Sequence, residues 1–178
     1  PCQSEYNAPD HRRYHAQTNC CKDCGPKLLG LQDALSSLKL GQIVAVKGLG
    51  GYQLIGLASN LMAISHLRTL KGRLSKPLAV MVADINQARR FGELSALHCE
   101  LLHSDVGPIV IVPVSSQEQS NEITGGLNSI GLMLPTTPLH AWLVRSTGPL
   151  VVTSANLEGE PIAYRSGHEQ NVSSLTSV

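Results

Sequence analysis

Short apolar runs and amphipathic segments alternate along this 178-residue chain only from Lys27 onward. Such alternation is typical of a mixed α/β domain, in which strands and helices follow one another and share a core. The stretch from Glu5 to Gln17 has neither helical nor strand periodicity of apolar residues, so it cannot bury a core by itself. The sequence predicts one α/β domain, preceded by a small segment that needs another source of order.

The apolar runs of the α/β region predict a series of strands and helices. Strands are predicted over residues 42–47, 52–58, 78–83, 109–114, 130–134 and 149–153. One helix is predicted with the apolar face Leu31, Ala34, Leu35 and Leu38. A second, capped by Ser59 or Asn60, has the apolar face Leu61, Ile64 and Leu67. One or two helices are predicted within residues 85–103, and another over residues 138–145.

Glycine and β-branched residues refine this prediction. The first helix is expected to stop at Gly41, because glycine readily adopts the left-handed cap conformation. The β-branched run 109–114 predicts a central strand. The polar, glycine-punctuated segment 115–126 predicts a surface loop.

Composition indicates a soluble globular protein, with 42% hydrophobic and 15% charged residues. The formal net charge of +1 provides no broad electrostatic field for a nucleic acid, so any RNA binding would need a local cluster of lysine and arginine. No apolar run approaches the roughly 20 residues of a membrane helix, and the first residues lack the features of a signal peptide. We expect a cytoplasmic protein that does not enter membranes.

Four of the five cysteines lie in the opening segment, where Cys21 and Cys24 form a C-x2-C pair. Cys2 stands at the spacing expected of a second pair, which suggests a zinc site. Tetrahedral zinc takes four ligands, and the partner of Cys2 would fall before Pro1 unless His15 or Cys20 replaces it. The alternative is a broken site with unligated thiols.

Two glycine- or lysine-rich segments allow a phosphate-binding interpretation and a structural one. Gly48–Gly51 has exposed backbone amides that could hold an anion, but a tight turn that needs positive φ also explains it. Lys71, Arg73 and Lys76 concentrate three cations between a helix and a strand, which suits phosphate groups. An ordinary solvated loop is the alternative.

Thr153, Ser154 and Asn156 end an apolar strand with hydrogen-bonding side chains. In open α/β sheets such strand ends commonly contact ligands. Without other information, a turn or a helix cap explains the pattern equally well.

Taken in order, these motifs resemble the HypF family of hydrogenase maturation proteins. The run E-Y-x-x-P-x-x-R-R-Y-H-A-Q followed by C-x2-C-G-P resembles the second zinc finger of that family. Four further segments resemble the YrdC-like domain of HypF. They are Lys47–Tyr52, K-x-R-x-x-K-P-L-A-V-M from Lys71, G-x-M-L-P-x-T-P-L-H from Gly131, and Thr153–Asn156 with Gly159–Ile162.

The resemblance implies a fold and a domain division. We expect a YrdC-like twisted mixed sheet with flanking helices, an α/β (α+β) architecture, preceded by a small partial zinc finger. The finger would span residues 1–26. The nucleotide-binding domain would span residues 27–178 and be C-terminally truncated, so that carbamoyl transfer by this chain alone is not expected.

The resemblance also implies an activity. HypF proteins use carbamoyl phosphate and ATP, and their YrdC-like domain joins carbamate to AMP, forming carbamoyladenylate and releasing pyrophosphate. The carbamoyl group then passes to the C-terminal cysteine of HypE. No protein nucleophile is needed, and we interpret Cys99 as a small core residue.

Residue roles follow from the resemblance position by position. Lys71 and Arg73 would be catalytic and hold phosphates, with magnesium accompanying ATP. The implied nucleotide- or carbamoyladenylate-binding residues are Lys47, Lys71, Arg73, Lys76, Thr137, Thr153, Ser154 and Asn156. The implied ligands of a structural zinc ion are Cys2, Cys21 and Cys24.

The sequence departs from the family at Leu57, where HypF proteins commonly have aspartate. Two other functions are considered. One is the YrdC-type threonylcarbamoyladenylate synthase of tRNA modification, against which the finger motif and Lys47, where that branch has threonine, are contrary indications. The other is a noncatalytic module that binds double-stranded RNA.

Overall fold

The computed structural model divides into two compact units, Pro1–Gln32 and Asp33–Val178. Within them it describes residues 2–15, 30–72, 76–115, 121–156 and 159–164. The helices are α1 (Cys2–Asn7), α2 (Leu31–Lys39), α3 (Leu61–Lys71), α4 (Ile85–Ala88), α5 (Ala96–His103), α6 (Asn121–Thr124) and α7 (Pro138–Thr147). The strands are β1 (Val44–Lys47), β2 (Tyr52–Leu57), β3 (Ala79–Met81), β4 (Val110–Pro113), β5 (Ser129–Met133) and β6 (Leu150–Ser154).

The described part of the first unit is held together by polar and ring contacts. Arg13 forms an ion pair with Glu5 at 2.6 Å. The His15 ring stacks on Tyr6 and Tyr14, with centroids 5.1 and 4.0 Å apart. None of the residues of α1 is buried. This agrees with the prediction that the segment has no apolar core.

The second unit follows the predicted order of elements closely. Helix α2 ends as predicted, because the Gly41 amide bonds the Leu38 carbonyl at 2.9 Å and Gly41 has a φ of 79°. Asn60 caps α3 by accepting a hydrogen bond from the Ala63 amide at 3.0 Å. Of the described helices, none has both the length and the apolar character needed to cross a bilayer.

The predicted inward face of α3 is only partly correct. Ile64 and Leu67 are fully buried, but Leu61 is 54% exposed. Side chains on a helix tilt toward its N-terminus, so a residue at the first position points past the end of the helix. Leu61 therefore projects away from the core that the next two turns fill.

The segment 85–103 forms two short helices, α4 and α5, capped by Asp84 and Ser95. Cys99, which we expected in the core, is only partly buried and lies 3.6 Å from Arg89 Nη2. The buried residue of α5 is instead Leu102. With one side of a short helix facing the sheet, only one of its positions reaches the core.

The second unit contains a mixed sheet in the order β1-β2-β6-β3-β5-β4. Only the pair β3–β5 is parallel. Strand β4 therefore lies at an edge, and the prediction of a central strand was wrong. Its side chains alternate between buried and exposed, with Ile111 70% exposed, and Pro113 lacks the amide hydrogen that a central strand would use.

The segment predicted as a surface loop contains helix α6, in which Ile123 is buried. The Ile123 carbonyl accepts a hydrogen bond from the Leu78 amide at 2.9 Å. Polar residues surround this single apolar anchor, so the sequence pattern of 115–126 does not reveal the helix. Residues 116–120 lie outside the described part.

Both faces of the sheet contribute side chains to apolar clusters. Alternate residues of one strand enter different apolar clusters, as Leu54 and Ile55 of β2 do. The Leu54 cluster receives side chains from α3, α4, α5 and α6. The Ile55 cluster receives side chains from α2 and α7. The predicted mixed sheet with flanking helices is thus confirmed.

Candidate functional site

A cleft of about 480 Å³ opens on the sheet of the second unit. Thr153 and Ser154, at the end of β6, belong to its wall. The complete lining is Gln53, Pro77, Leu78, Ala79, Ile109, Ile111, Leu127, Ser129, Gly131, Met133, Val152, Thr153 and Ser154.

Small residues on neighbouring strands create the floor of this cleft. Ala79 of β3 and Gly131 of β5 are register partners. A Cβ atom on Gly131 would come within 2.9 Å of the Ile109 side chain. Met133 and Val152 line the cleft and also belong to the cluster that α2 and α7 cover, so the cleft lies beside that cluster on the same face.

The outer lip of the cleft is apolar and open to solvent. Ile109, Ile111 and Leu127 are 56%, 70% and 50% exposed. A concave site with apolar walls and a few polar groups at one side is typical of small-molecule binding. In this cleft, Gln53, Thr153 and Ser154 supply polar groups near the end of β6.

The buried Lys71 side chain forms hydrogen bonds with the residues at the polar end of the cleft. It is 1% exposed, and its Nζ bonds the Ser154 carbonyl at 2.7 Å and Asn156 Oδ1 at 3.0 Å, together with the Asn156 carbonyl. An ammonium group donates up to three hydrogen bonds, and each of these oxygens can accept one. The charge is therefore compensated inside the protein, and the end of α3 is tied to the segment after β6.

The segment after β6 is held by its own side chains as well. Ser154 Oγ lies 2.5 Å from Asn156 Oδ1, and Asn156 Nδ2 donates to the Glu160 carbonyl at 2.6 Å. The Ala155 amide donates to the Tyr52 carbonyl at 2.9 Å. The structure thus brings Lys71, Ser154 and Asn156 together, although their roles toward a ligand remain predictions.

Arg68 positions the segment that carries the remaining cations. Its guanidinium donates to the carbonyls of Lys76 at 2.9 Å, Ile123 at 3.3 Å and Glu122. The Lys76 side chain is exposed and directly precedes Pro77 of the cleft wall. The sequence pattern does not reveal this role of Arg68, because a basic residue on a helix usually faces solvent.

The other predicted binding residues stand around the turn and the helix nearby. Lys47 is exposed, and its Nζ lies 5.5 Å from the centre of the Tyr52 ring. Thr137 caps α7, accepting from the His140 amide at 3.2 Å. The Gly48–Gly51 segment is a tight turn, with the Gly48 amide donating to the Gly51 carbonyl at 2.8 Å.

The remaining predicted residues are the proposed zinc ligands and one of the cations. Arg73, Cys21 and Cys24 lie outside the described residues, as does Cys20. Cys2 is in α1 and partly exposed. Within the described ranges, no group of three or more histidine, cysteine, aspartate or glutamate side chains is arranged to hold a metal ion.

Two polar side chains to which the sequence assigned no role each have a buried atom without a hydrogen-bond partner among the described residues. These atoms are Gln53 Oε1 and His140 Nε2. Burial lowers the pKa of His140, so its imidazole is neutral near pH 7. The motif around Thr137 includes His140, but only the tertiary structure shows its burial.

Two protein-family models match the chain. The Sua5/YciO/YrdC model, described as telomere recombination, matches residues 36–173. A model described as HypF finger matches residues 1–29.

Among characterised relatives, the carbamoyltransferase HypF of Rhodobacter capsulatus is 39% identical over 174 residues, covering 90% of this chain and 23% of that protein. The HypF of Synechocystis is 39% identical over 150 residues, covering 83% of the chain and 19% of that protein. The threonylcarbamoyl-AMP synthase of Vibrio vulnificus YJ016 is 34% identical over 136 residues and is covered to 73%. The chain thus spans about a quarter or less of the HypF proteins it matches.

Solved structures give the same result. A crystal structure of full-length HypF in a phosphate- and nucleotide-bound form superposes with a TM-score of 0.86 at 33% identity, covering 98% of this chain and 25% of that one. The HypF structure from T. kodakarensis has a TM-score of 0.85 at 32% identity, with the same coverage of both chains.

Proposed function

The chain is a HypF-type member of the Sua5/YciO/YrdC family, and on that premise we propose that its second unit forms carbamoyladenylate from ATP and carbamate. The carbamate would derive from carbamoyl phosphate. The carbamoyl group would then pass to HypE as part of a hydrogenase maturation carbamoyltransferase. The HypF relatives are named as carbamoyltransferases, and the present chain spans only part of their length.

The observation that carries this proposal is the polar end of the cleft. Thr153 and Ser154 line the cleft, and Lys71 bonds the Ser154 carbonyl and Asn156. The apolar lip formed by Ile109, Ile111 and Leu127 suits the flat face of a nucleobase. The full-length HypF that this chain resembles was crystallised with nucleotide and phosphate.

The proposed reaction is a phosphoryl substitution without a protein nucleophile. A carbamate oxygen attacks the α-phosphorus of ATP, a new P–O bond forms, and the bond to pyrophosphate breaks. Negative charge develops on the phosphoryl oxygens and on the departing pyrophosphate, and magnesium bound with ATP would help to neutralise it. Arg73 and Lys76 are proposed to contact the phosphates. Lys71 would also contact the phosphates or, through its hydrogen bonds to Ser154 and Asn156, hold the polar end of the cleft in place.

Calorimetric titration of the chain with ATP and magnesium tests the site. Arg73→Ala should weaken ATP binding by about tenfold or more, because it removes a charge-assisted contact to phosphate. Arg145→Ala, an exposed arginine at the last turn of α7, serves as the matched control. Equal affinity of wild type and Arg73→Ala would refute the phosphate assignment.

A threonylcarbamoyl-AMP synthase is the second candidate, because the Vibrio relative is 34% identical over most of its own length. The finger match at residues 1–29 favours the HypF activity. The two reactions consume different acyl substrates. Pyrophosphate exchange into ATP that depends on carbamate supports the first, and exchange that requires threonine with bicarbonate supports the second.

Zinc is proposed as a structural ion of the first unit. Cys2, Cys21 and Cys24 would hold it, and its binding energy would order a segment that has no apolar core. The match to the HypF finger supports this assignment. We also propose that the protein acts in the cytoplasm.

A further inference from the structure

Gln53 and His140 present unpartnered polar atoms to the same place in the second unit. If Gly48 carried a Cβ atom, that atom would lie 3.2 Å from His140 Cε1 and 3.5 Å from Gln53 Oε1. The two side chains therefore converge at the side of Gly48 from which a side chain is absent. Gln53 Oε1 and His140 Nε2 are the buried side-chain nitrogen or oxygen atoms that lack a partner in the described ranges.

This convergence point adjoins the cleft. Gln53 belongs to the cleft wall, and its register partner across the strand pair is Ser154. His140 is 1% exposed, at the start of α7. Leaving a buried polar atom without a hydrogen bond is unfavourable. Two such atoms beside a binding cleft therefore indicate a ligand group that supplies the missing bonds.

The hydrogen-bond partners of His140 determine what its Nε2 can offer. Thr137 Oγ1 accepts a hydrogen bond from the His140 amide and lies 2.9 Å from Nδ1. Because Oγ1 already accepts from the amide, we take the tautomer in which its hydroxyl hydrogen is donated to Nδ1. When the hydroxyl donates to Nδ1, the neutral ring carries its hydrogen on Nε2, which is then a donor.

The pair thus combines a donor, His140 Nε2–H, with an acceptor, Gln53 Oε1. A planar carbamoyl group has the complementary set, with an N–H donor and a carbonyl acceptor on one carbon. A phosphate would leave Gln53 Oε1 facing another acceptor. A site with one donor and one acceptor therefore favours a carbamoyl group over a phosphate.

We propose that Gln53 and His140 bind the carbamoyl end of the adenylate, the amino group donating to Gln53 and the carbonyl oxygen accepting from His140. This inference rests on the proposed function and assigns residues to its acyl substrate. Glycine at position 48 keeps this site open, because a side chain there would occupy the space between Gln53 and His140.

Two non-reactive ligands that differ only in this end provide the test. They are 5′-O-sulfamoyladenosine and its N-carbamoyl derivative, titrated calorimetrically into the wild-type chain. The wild type should prefer the carbamoyl ligand by about tenfold or more. Gln53→Met and His140→Phe should reduce the preference to below about twofold, while the affinity for 5′-O-sulfamoyladenosine stays within about twofold of wild type.

His140→Gln keeps an N–H donor and should retain most of the preference. The exposed residues Gln42 and His66 provide matched controls as Gln42→Met and His66→Phe. If His140→Phe fails to fold, Gln53→Met carries the test, because the Gln53 side chain is only partly buried.

The outcomes are distinguishable. A wild type that binds neither ligand refutes the proposed function itself. A wild type that binds both ligands equally refutes only the carbamoyl assignment. The assignment is also overturned if the variants keep the wild-type preference, as they would if a water molecule satisfied the pair, or if they lose affinity for both ligands alike.

Discussion

A lysine that is 1% exposed must find compensation for its charge inside the protein, and Lys71 finds it in carbonyl oxygens. Its partners belong to Ser154 and Asn156, more than eighty residues away in the sequence. A basic residue in a K-x-R motif is readily assigned to phosphate binding. Its burial and its contacts show that Lys71 holds the end of β6 and the residues that follow.

Lys71→Met should lower the free energy of unfolding by about 2–4 kcal/mol, because it leaves several buried oxygens without their charged donor. Urea unfolding followed by circular dichroism measures this change. Lys39→Met, at an exposed position of α2, should change stability by less than about 0.5 kcal/mol. Similar stability of both variants would mean that the ammonium does not hold this segment.

His140 should make stability depend on pH. Burial lowers its pKa below the ordinary value of 6.5, so the folded protein resists a proton that the unfolded chain accepts. As pH falls through 6.5 toward the folded-state pKa, stability should therefore decrease, by up to about 1.4 kcal/mol per pH unit. Above pH 6.5 this contribution to the pH dependence disappears.

Urea unfolding between pH 5 and pH 8 measures this effect, with His140→Gln as the variant that lacks it. His66→Gln, at an exposed position of α3, should follow the wild-type profile. Parallel profiles for wild type and His140→Gln would contradict the burial of a neutral ring.

At the scale of elements, α3 organises two parts of the site with residues three positions apart. Arg68 holds the carbonyls of Lys76 and Ile123, and Lys71 holds the segment after β6. The helix then ends at Gly72, whose φ is 60°. Positions i and i+3 lie on one side of a helix, so both cations can reach carbonyls of neighbouring segments.

Arg68→Met should loosen the link between α6 and the start of β3. The amide of Leu78, which bonds the Ile123 carbonyl at 2.9 Å, should exchange its hydrogen about tenfold faster or more. Native-state hydrogen exchange measures this, and the Val152 amide in β6 provides an internal reference. An unchanged Leu78 rate would show that Arg68 does not position the segment.

At the scale of the molecule, the site depends on the order of strands in the sheet. Strand β3 lies between β6 and β5, which brings Ala79 beside Gly131 and Val152. The helices α2 and α7 pack on the neighbouring part of this face. The cleft is the portion of the sheet where small residues replace the side chains that would otherwise fill it.

Ala79→Leu should fill the cleft and weaken ATP binding by about tenfold or more, while the free energy of unfolding changes by less than about 1 kcal/mol. Ala79 lines an open cleft, so a larger side chain has room that a packed core would not provide. Calorimetry and urea unfolding measure the two effects. Ala96→Leu, at an exposed position on α5, is the control. Full ATP affinity in Ala79→Leu would place the nucleotide elsewhere.

For the first unit, we expect about one zinc ion per chain by plasma mass spectrometry. Cys21→Ser and Cys24→Ser should each lose it, because thiolates are the proposed ligands. Cys99→Ser removes a cysteine of the second unit and should retain the metal. Equal zinc content in all three variants would refute the site.

The sequence by itself determined the features that depend on neighbouring residues. The end of α2 at Gly41, the cap of α3 at Asn60 and the polar end of β6 are local properties of backbone and side chain. The turn at Gly48–Gly51 was one of two interpretations that the sequence allowed, and the cap of α7 at Thr137 was found only in the structure. The alternation of apolar runs predicted a mixed α/β domain, and the resemblance to the family implied that its sheet is mixed.

Only the tertiary structure decided the features that join distant segments. The edge position of β4, the burial of Lys71, the floor of Ala79 and Gly131, and the convergence of His140 on Gln53 each require knowing which strands pair. A small residue, a lysine or a histidine has the same local pattern in a core, in a cleft or at the surface. Long-range pairing assigns its environment, and with it the chemistry that it can perform.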